Sequence, residues 1–163
     1  LHELKNFGIH NEDDVLNVGG NAKMDEFRAA MGICNLRHLD EAIRSRRMVY
    51  ERYEERLGNV PGLRLNKRQP EVTYNYAYFP VYFDREVFGR SRDEVNAYLK
   101  QHDYYSRKYF YPALNEVSCY KDSHPQNTPI AHDVSMNILT LPIYEGLELQ
   151  HVDRICDLIL EMR

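Results

Sequence analysis

No apolar run in this sequence approaches the roughly 18 residues that a membrane-crossing helix needs, and no charged start followed by an apolar stretch marks a secretory leader. Cysteine is sparse: Cys34, Cys119 and Cys156 are an odd number at wide spacings. That pattern suits a reducing compartment better than a disulfide framework, so the cytoplasm is the expected location. A basic surplus is missing too. With 21 Lys and Arg against 25 Asp and Glu, the formal net charge of -4 offers no general attraction to nucleic acid or acidic membranes. A glycine-rich nucleotide fingerprint does not occur. His124 and His132 have no Cys or carboxylate partner at a ligand spacing, and nothing aims the run His10-Asn11-Glu12-Asp13-Asp14 at one point, so no metal is expected and the run reads as a solvated loop.

What is present suits a globular domain. The 163 residues are 43% hydrophobic and 28% charged, enough to bury one core. The chain opens at Leu1 rather than Met, which suggests a piece of something longer. Leu4 and Phe7 fit the end of a helix stopped by Gly8. The stretch from Gly19 to Gly32 organises the rest. Gly19 and Gly20 free the backbone, Asn21 is suited to cap a helix, and Met24, Phe27, Ala30, Met31 and Cys34 make one apolar face of a closely packed helix.

The helical period continues through Leu39, Ile43, Val49, Tyr50, Tyr53 and Leu57 to about Gly58. Six arginines from Arg37 to Arg56 alternate with acids, a mixed and solvated face. Val60-Pro61-Gly62-Leu63 is a turn, and residues 74–83 then alternate as a strand with Phe79, Val81 and Phe83 on one side. Pro80 should place that strand at an edge or interrupt it. Ser91-Arg92-Asp93-Glu94 has capping-box spacing and opens a helix to about His102. A second strand is expected at 104–109, a short helix or turn from Pro112 toward Tyr120, a loop over 122–129, and a strand in the last part of 134–141. A closing helix carries Val152, Ile155, Cys156, Ile159 and Leu160. Helices alternating with few strands imply an α+β domain.

Three segments carry a resemblance. Gly19-Gly20-Asn21-Ala22-Lys23-Met24-Asp25-Glu26-Phe27-Arg28-Ala29-Ala30-Met31-Gly32, Arg107-Lys108-Tyr109-Phe110-Tyr111-Pro112-Ala113-Leu114 and Ile138-Leu139-Thr140-Leu141-Pro142-Ile143-Tyr144 occur in that order. They resemble signatures of the DegT/StrS family of sugar aminotransferases, which use pyridoxal 5'-phosphate (PLP) and have the aspartate aminotransferase fold. The resemblance implies the C-terminal region of that fold: residues 1–58 as an interdomain and dimer-interface helical segment, kinked near His38 to Asp40, and 59–163 as a small α+β domain with an antiparallel sheet under helices. The large PLP-binding domain would be absent from this chain.

By the same resemblance, the full protein would move an amino group, with glutamate as donor, to a nucleotide-linked keto-sugar for polysaccharide or antibiotic sugars. The lysine that forms the imine would lie upstream of Leu1, since no Ser-x-x-x-x-Lys segment occurs here. Asn21 would reach across a homodimer to the PLP phosphate of the other subunit. Lys23, where relatives carry Arg, would hold the substrate's diphosphate, and Arg107 and Tyr109 would border the substrate cleft. From the residues alone, Asn21 as a plain helix cap, and Arg107 with Tyr109 as a sheet-edge cation and packed ring, stay open. A stand-alone binding or regulatory module, and an aromatic and basic nucleic-acid binder built on 104–111, are the other classes.

Overall fold

The computed structural model describes residues 1–120 and 127–163. Most of the loop read at 122–129, with His124, lies outside the described residues. The chain forms two compact units, Leu1–Asp40 and Glu41–Arg163.

In the first unit, α1 (His2–Lys5) leads into an antiparallel hairpin, β1 (Ile9–Asn11) and β2 (Asp14–Val15). The acidic run expected to be a plain loop is this hairpin. Its turn is tightened because the Asn11 side chain accepts the Asp13 N–H at 3.0 Å, a bond that short polar side chains make well. The chain then folds back beside α1: Gly20 N–H donates to Leu4 O at 3.0 Å, Phe7 N–H to Gly20 O at 3.1 Å and Ala22 N–H to Lys5 O at 2.9 Å. Asn6 and Asn21 form an antiparallel bridge there. Gly19 is required by closeness, since a Cβ would sit 2.4 Å from Gly8 N and 2.7 Å from Leu4 O.

The helix that follows, α2 (Glu26–Leu36), starts later than Asn21 suggests. Its cap is Asp25, which is extended and accepts the Arg28 N–H at 2.9 Å. Asn21 cannot cap because its backbone is committed to the bridge four residues earlier. The expectation of close packing also fails within this chain. None of the residues of α2 is buried, and Phe27 is 89% exposed. A turn at Arg37 and His38 separates α2 from α3 (Leu39–Leu57), where a kink was expected.

The second unit holds a three-stranded antiparallel sheet in the order β3 (Leu63–Leu65), β4 (Phe79–Phe83), β5 (Ile138–Leu141). Around it are α4 (Arg85–Phe88), α5 (Arg92–Gln101), a single 3-10 turn at Leu114–Glu116, α6 (Pro129–Asn137) and α7 (Leu149–Glu161). The α+β expectation holds. Phe79, Val81 and Phe83 point into a core shared with Tyr53 and Leu57 of α3, Val95 and Leu99 of α5, Leu139 and Leu141 of β5, and Val152, Ile155 and Ile159 of α7. The buried face of α3 thus packs into the core of this unit, whose first residue is Glu41.

Three local expectations are corrected. The strand read over 74–83 is regular only from Phe79, because β3 ends at Leu65 and β5 at Leu141, leaving nothing to pair with its first half. Tyr76 there has φ +52° and packs its ring 5.3 Å from that of Tyr50. Pro80 lies in the central strand, but the β3 ladder stops at the Leu65–Val81 pair, so on the side its backbone faces the pairing is interrupted, as a proline requires. The strand expected at 104–109 is one bridge, Arg107 with Thr140: Tyr109 N–H turns back to Arg107 O at 3.1 Å and ends the pairing. The arginine face of α3 is also less solvated than expected. Arg52 and Arg56 both bond Asp153 of α7, through Nε at 2.7 Å and Nη1 at 2.8 Å.

The capping box is present in full: Ser91 Oγ accepts from Glu94 N at 3.2 Å and Glu94 Oε2 accepts from Ser91 N at 2.8 Å. Among the described residues no helix is long and apolar enough to cross a membrane.

Candidate functional site

In the first unit, the fold-back of residues 20–22 onto 4–7 sets Asn21 and Lys23 on one short span. The backbone of Asn21 is fixed by its neighbours' bonds, whereas its side-chain amide, exposed, makes no hydrogen bond among the described residues. It is therefore an exposed donor carried on a held backbone. Lys23 Nζ donates to Asn6 Oδ1 at 3.2 Å and lies 4.8 Å from the Phe7 ring centroid. This tethers a cation two residues along the chain from Asn21. At the start of α2 the carboxylate of Asp25 already takes the Arg28 N–H and puts a negative charge there, which disfavours a further anion.

In the second unit, Arg107 and Tyr109 line a groove of about 390 Å³ with Tyr78, Tyr105, Thr140 and Tyr144. Arg107 is set by two backbone bonds with Thr140, N–H to O at 3.0 Å and the reverse at 2.8 Å. Its guanidinium donates to Tyr109 Oη and lies 5.3 Å from that ring's centroid. Tyr109 meets Tyr78 edge-on at 5.7 Å and stacks on Phe110 at 4.7 Å. The groove runs on, through Ala77, Tyr78, Tyr109 and Thr140, into a cavity of about 590 Å³ that also touches Lys67, Tyr74, Tyr76 and Phe110. Burial raises the hydroxyl pKa of Tyr50, which lines that cavity.

The segments 107–114 and 138–144, some 30 residues apart in sequence, thus meet as two walls of one groove. Aromatic faces beside a guanidinium and a lysine suit a flat ligand carrying negative charge. Sequence reasoning missed Tyr78, Tyr105 and Tyr144 as lining residues. The alternation of 74–83 does put Tyr78 opposite the core side chains, but half-buried sheet residues account for such a pattern as well. No sequence signal shows which pairs with the 104–109 segment.

All three segments fall inside one alignment: residues 1–160 match the DegT/DnrJ/EryC1/StrS aminotransferase family. The chain belongs to this family. It is 36% identical over 163 residues to the dTDP-4-amino-4,6-dideoxy-D-glucose transaminase of Escherichia coli, an alignment covering 98% of this chain and 44% of that protein. It is similar in structure to DesI, solved in the presence of its TDP-sugar product, with a TM-score of 0.85 and 29% identity over 99% of this chain and 42% of DesI. DesV of S. venezuelae gives a TM-score of 0.84 at 25% identity, covering 98% of this chain and 42% of DesV. The chain therefore spans less than half the length of the relatives it matches, and its fold is that of the corresponding part of a PLP-dependent aminotransferase.

Proposed function

We propose that this chain is the C-terminal part of a PLP-dependent sugar-nucleotide aminotransferase, and that the whole protein transfers an amino group, from glutamate, to a keto-sugar linked to a nucleoside diphosphate. The observation that carries this reading is the family match over residues 1–160, which takes in all three signature segments. The share of the relatives that the chain spans, 44% of the Escherichia coli transaminase, leaves room for a large domain with the imine-forming lysine.

The residues present fit the cofactor's phosphate end. A phosphate needs N–H donors, and the Asn21 amide is an exposed donor on a backbone held by hydrogen bonds. In a homodimer it would donate to the phosphate of PLP bound by the other subunit, so that each active site is completed by its neighbour. Bound PLP supplies an electron sink for exchange of the amino group. Lys23 would place its charge against the substrate's diphosphate, as a point charge and without the paired fork that Arg offers. Arg107 and Tyr109 would border the sugar nucleotide, with the neighbouring aromatic walls excluding water from it. A cytoplasmic enzyme of this kind would feed cell-surface polysaccharide or related amino sugars.

The test uses the full-length protein with PLP, glutamate and a dTDP-linked keto-sugar, following the amino-sugar nucleotide by mass spectrometry. Formation of that product, dependent on PLP, is the expected result. Binding of the sugar nucleotide without turnover would instead favour a binding or regulatory module.

A further inference from the structure

Among the described residues, Arg92 is the only charged side chain taken into the interior, at 1% exposure. It follows the cap Ser91 at the start of α5. Its Nη1 donates to two carbonyls, Ser135 O at 3.1 Å and Ile138 O at 2.9 Å, where α6 gives way to β5. Its Nε lies 2.8 Å from Asp93 Oδ1 as an ion pair, and neither Nε nor Nη2, both buried, makes a hydrogen bond among the described residues. The guanidinium carbon sits 5.1 Å from the centroid of the Tyr111 ring. Lys108 completes the cluster, with Nζ 2.5 Å from the same Asp93 oxygen and 5.7 Å from the same ring.

A guanidinium with two nitrogens in the interior that make no hydrogen bond among the described residues is a poor choice for stability alone, where an apolar side chain of similar volume does as well or better. What the charge does here is join three pieces of chain: the start of α5, the α6 to β5 junction and the segment 107–111. That segment makes a single backbone bridge, Arg107 with Thr140, and is otherwise irregular. Beyond the Lys108–Asp93 ion pair and the Tyr109–Tyr78 ring contact, it is held by the pair of cations against Tyr111. Such a contact contributes most where the cation is already shielded from water, which is the case for Arg92.

We propose that Arg92, acting through Tyr111, is a positioning residue that fixes the course of segment 107–111 and so holds Arg107 and Tyr109 at the groove wall. The links are Arg92 against Tyr111, the backbone that joins Tyr111 through Phe110 to Tyr109, and Tyr109 stacked on Phe110 and edge-on to Tyr78. Its consequence for substrate rests on the function proposed above: loosening the brace weakens binding of the sugar nucleotide and leaves the chemistry alone.

The experiment compares Tyr111→Leu, Tyr111→Phe and Arg92→Met in the full-length protein, reading amide hydrogen exchange and steady-state kinetics. Tyr111 is about half exposed, so its variants fold even if Arg92→Met does not. In Tyr111→Leu the amides of Arg107 and Thr140 exchange about tenfold faster while that of Ile155 is unmoved, a local opening. The KM for the sugar nucleotide rises about tenfold with kcat within about twofold, and the KM for glutamate stays put. Tyr111→Phe, which keeps the ring, behaves as wild type. Unchanged exchange at Arg107 and Thr140, a rise that includes Ile155, or a loss confined to kcat overturns the proposal. A wild-type protein without transaminase activity overturns the proposed function, while the exchange data still decide whether the brace exists.

Discussion

Pro80 of β4 and Thr140 of β5 face each other in a pair that exchanges no hydrogen bond, because Thr140 spends both its N–H and its C=O on Arg107. Antiparallel pairs alternate, so the backbone of Pro80 is turned toward β3, which has already ended at Leu65. A proline therefore sits in a central strand without removing a ladder bond. Pro80→Ala should change unfolding free energy by less than about 1 kcal/mol. Val81→Pro, at a residue that bonds Leu139, should cost about 3 kcal/mol or more. Urea denaturation of the two variants separates these outcomes.

The α3 to α7 contact gives a pH dependence with a definite sign. Hydrogen bonds from Arg52 first, and Arg56 after it, hold the Asp153 carboxyl below the usual carboxylate range. Because the folded pKa is depressed, this stabilisation is fully present above the unfolded value of about 3.9 and is lost as pH falls through the folded one. Asp153→Asn should therefore lower the urea midpoint at pH 7. The gap to wild type should close only at acid pH, below about 4. A gap that stays constant across that range would show that the carboxylate's charge is not what matters.

The parts of the fold legible in the sequence were those whose signals are local. Ser91 and Glu94 cap each other over three residues, and Val152, Ile155, Cys156 and Ile159 repeat on one helix face, so α5 and α7 could be read directly. What was not legible depended on partners distant in sequence. Pro80 could be placed in a central strand only once Arg107 was known to take the bonds of Thr140. Tyr74 to Tyr78 alternate like a strand but find no neighbour to pair with. The candidate site divides the same way. The motif around Asn21 is one continuous stretch and so can be read in the sequence as a motif, while the groove wall of Tyr78, Tyr105 and Tyr144 is assembled from three separate stretches.

Asp25 and Asn21 have separable roles. Asp25→Ala removes the acceptor for Arg28 N–H and should cost about 1 kcal/mol with fraying of α2. Asn21→Ala removes no cap, so helicity and unfolding midpoint should hold near wild type. In the full-length protein, however, PLP should dissociate more readily, seen as lost visible absorbance on dialysis. PLP affinity unchanged in Asn21→Ala would remove Asn21 from the cofactor site.

Gly19→Ala tests whether the fold-back, rather than the amide alone, is what presents Asn21. The new Cβ would fall 2.4 Å from Gly8 N, 2.7 Å from Leu4 O and 3.0 Å from Phe7 C, all backbone atoms that cannot rotate aside. Relief requires residues 19–22 to move off residues 4–8, at a cost of about 1–3 kcal/mol. Gly20 is the control, since a Cβ there meets nothing within 4 Å. Gly19→Ala should lower PLP retention as Asn21→Ala does, though its own amide is intact, whereas Gly20→Ala should retain the cofactor. Equal PLP retention in Gly19→Ala and wild type would mean that Asn21 does not depend on the Gly20–Leu4 and Ala22–Lys5 bonds for its placement.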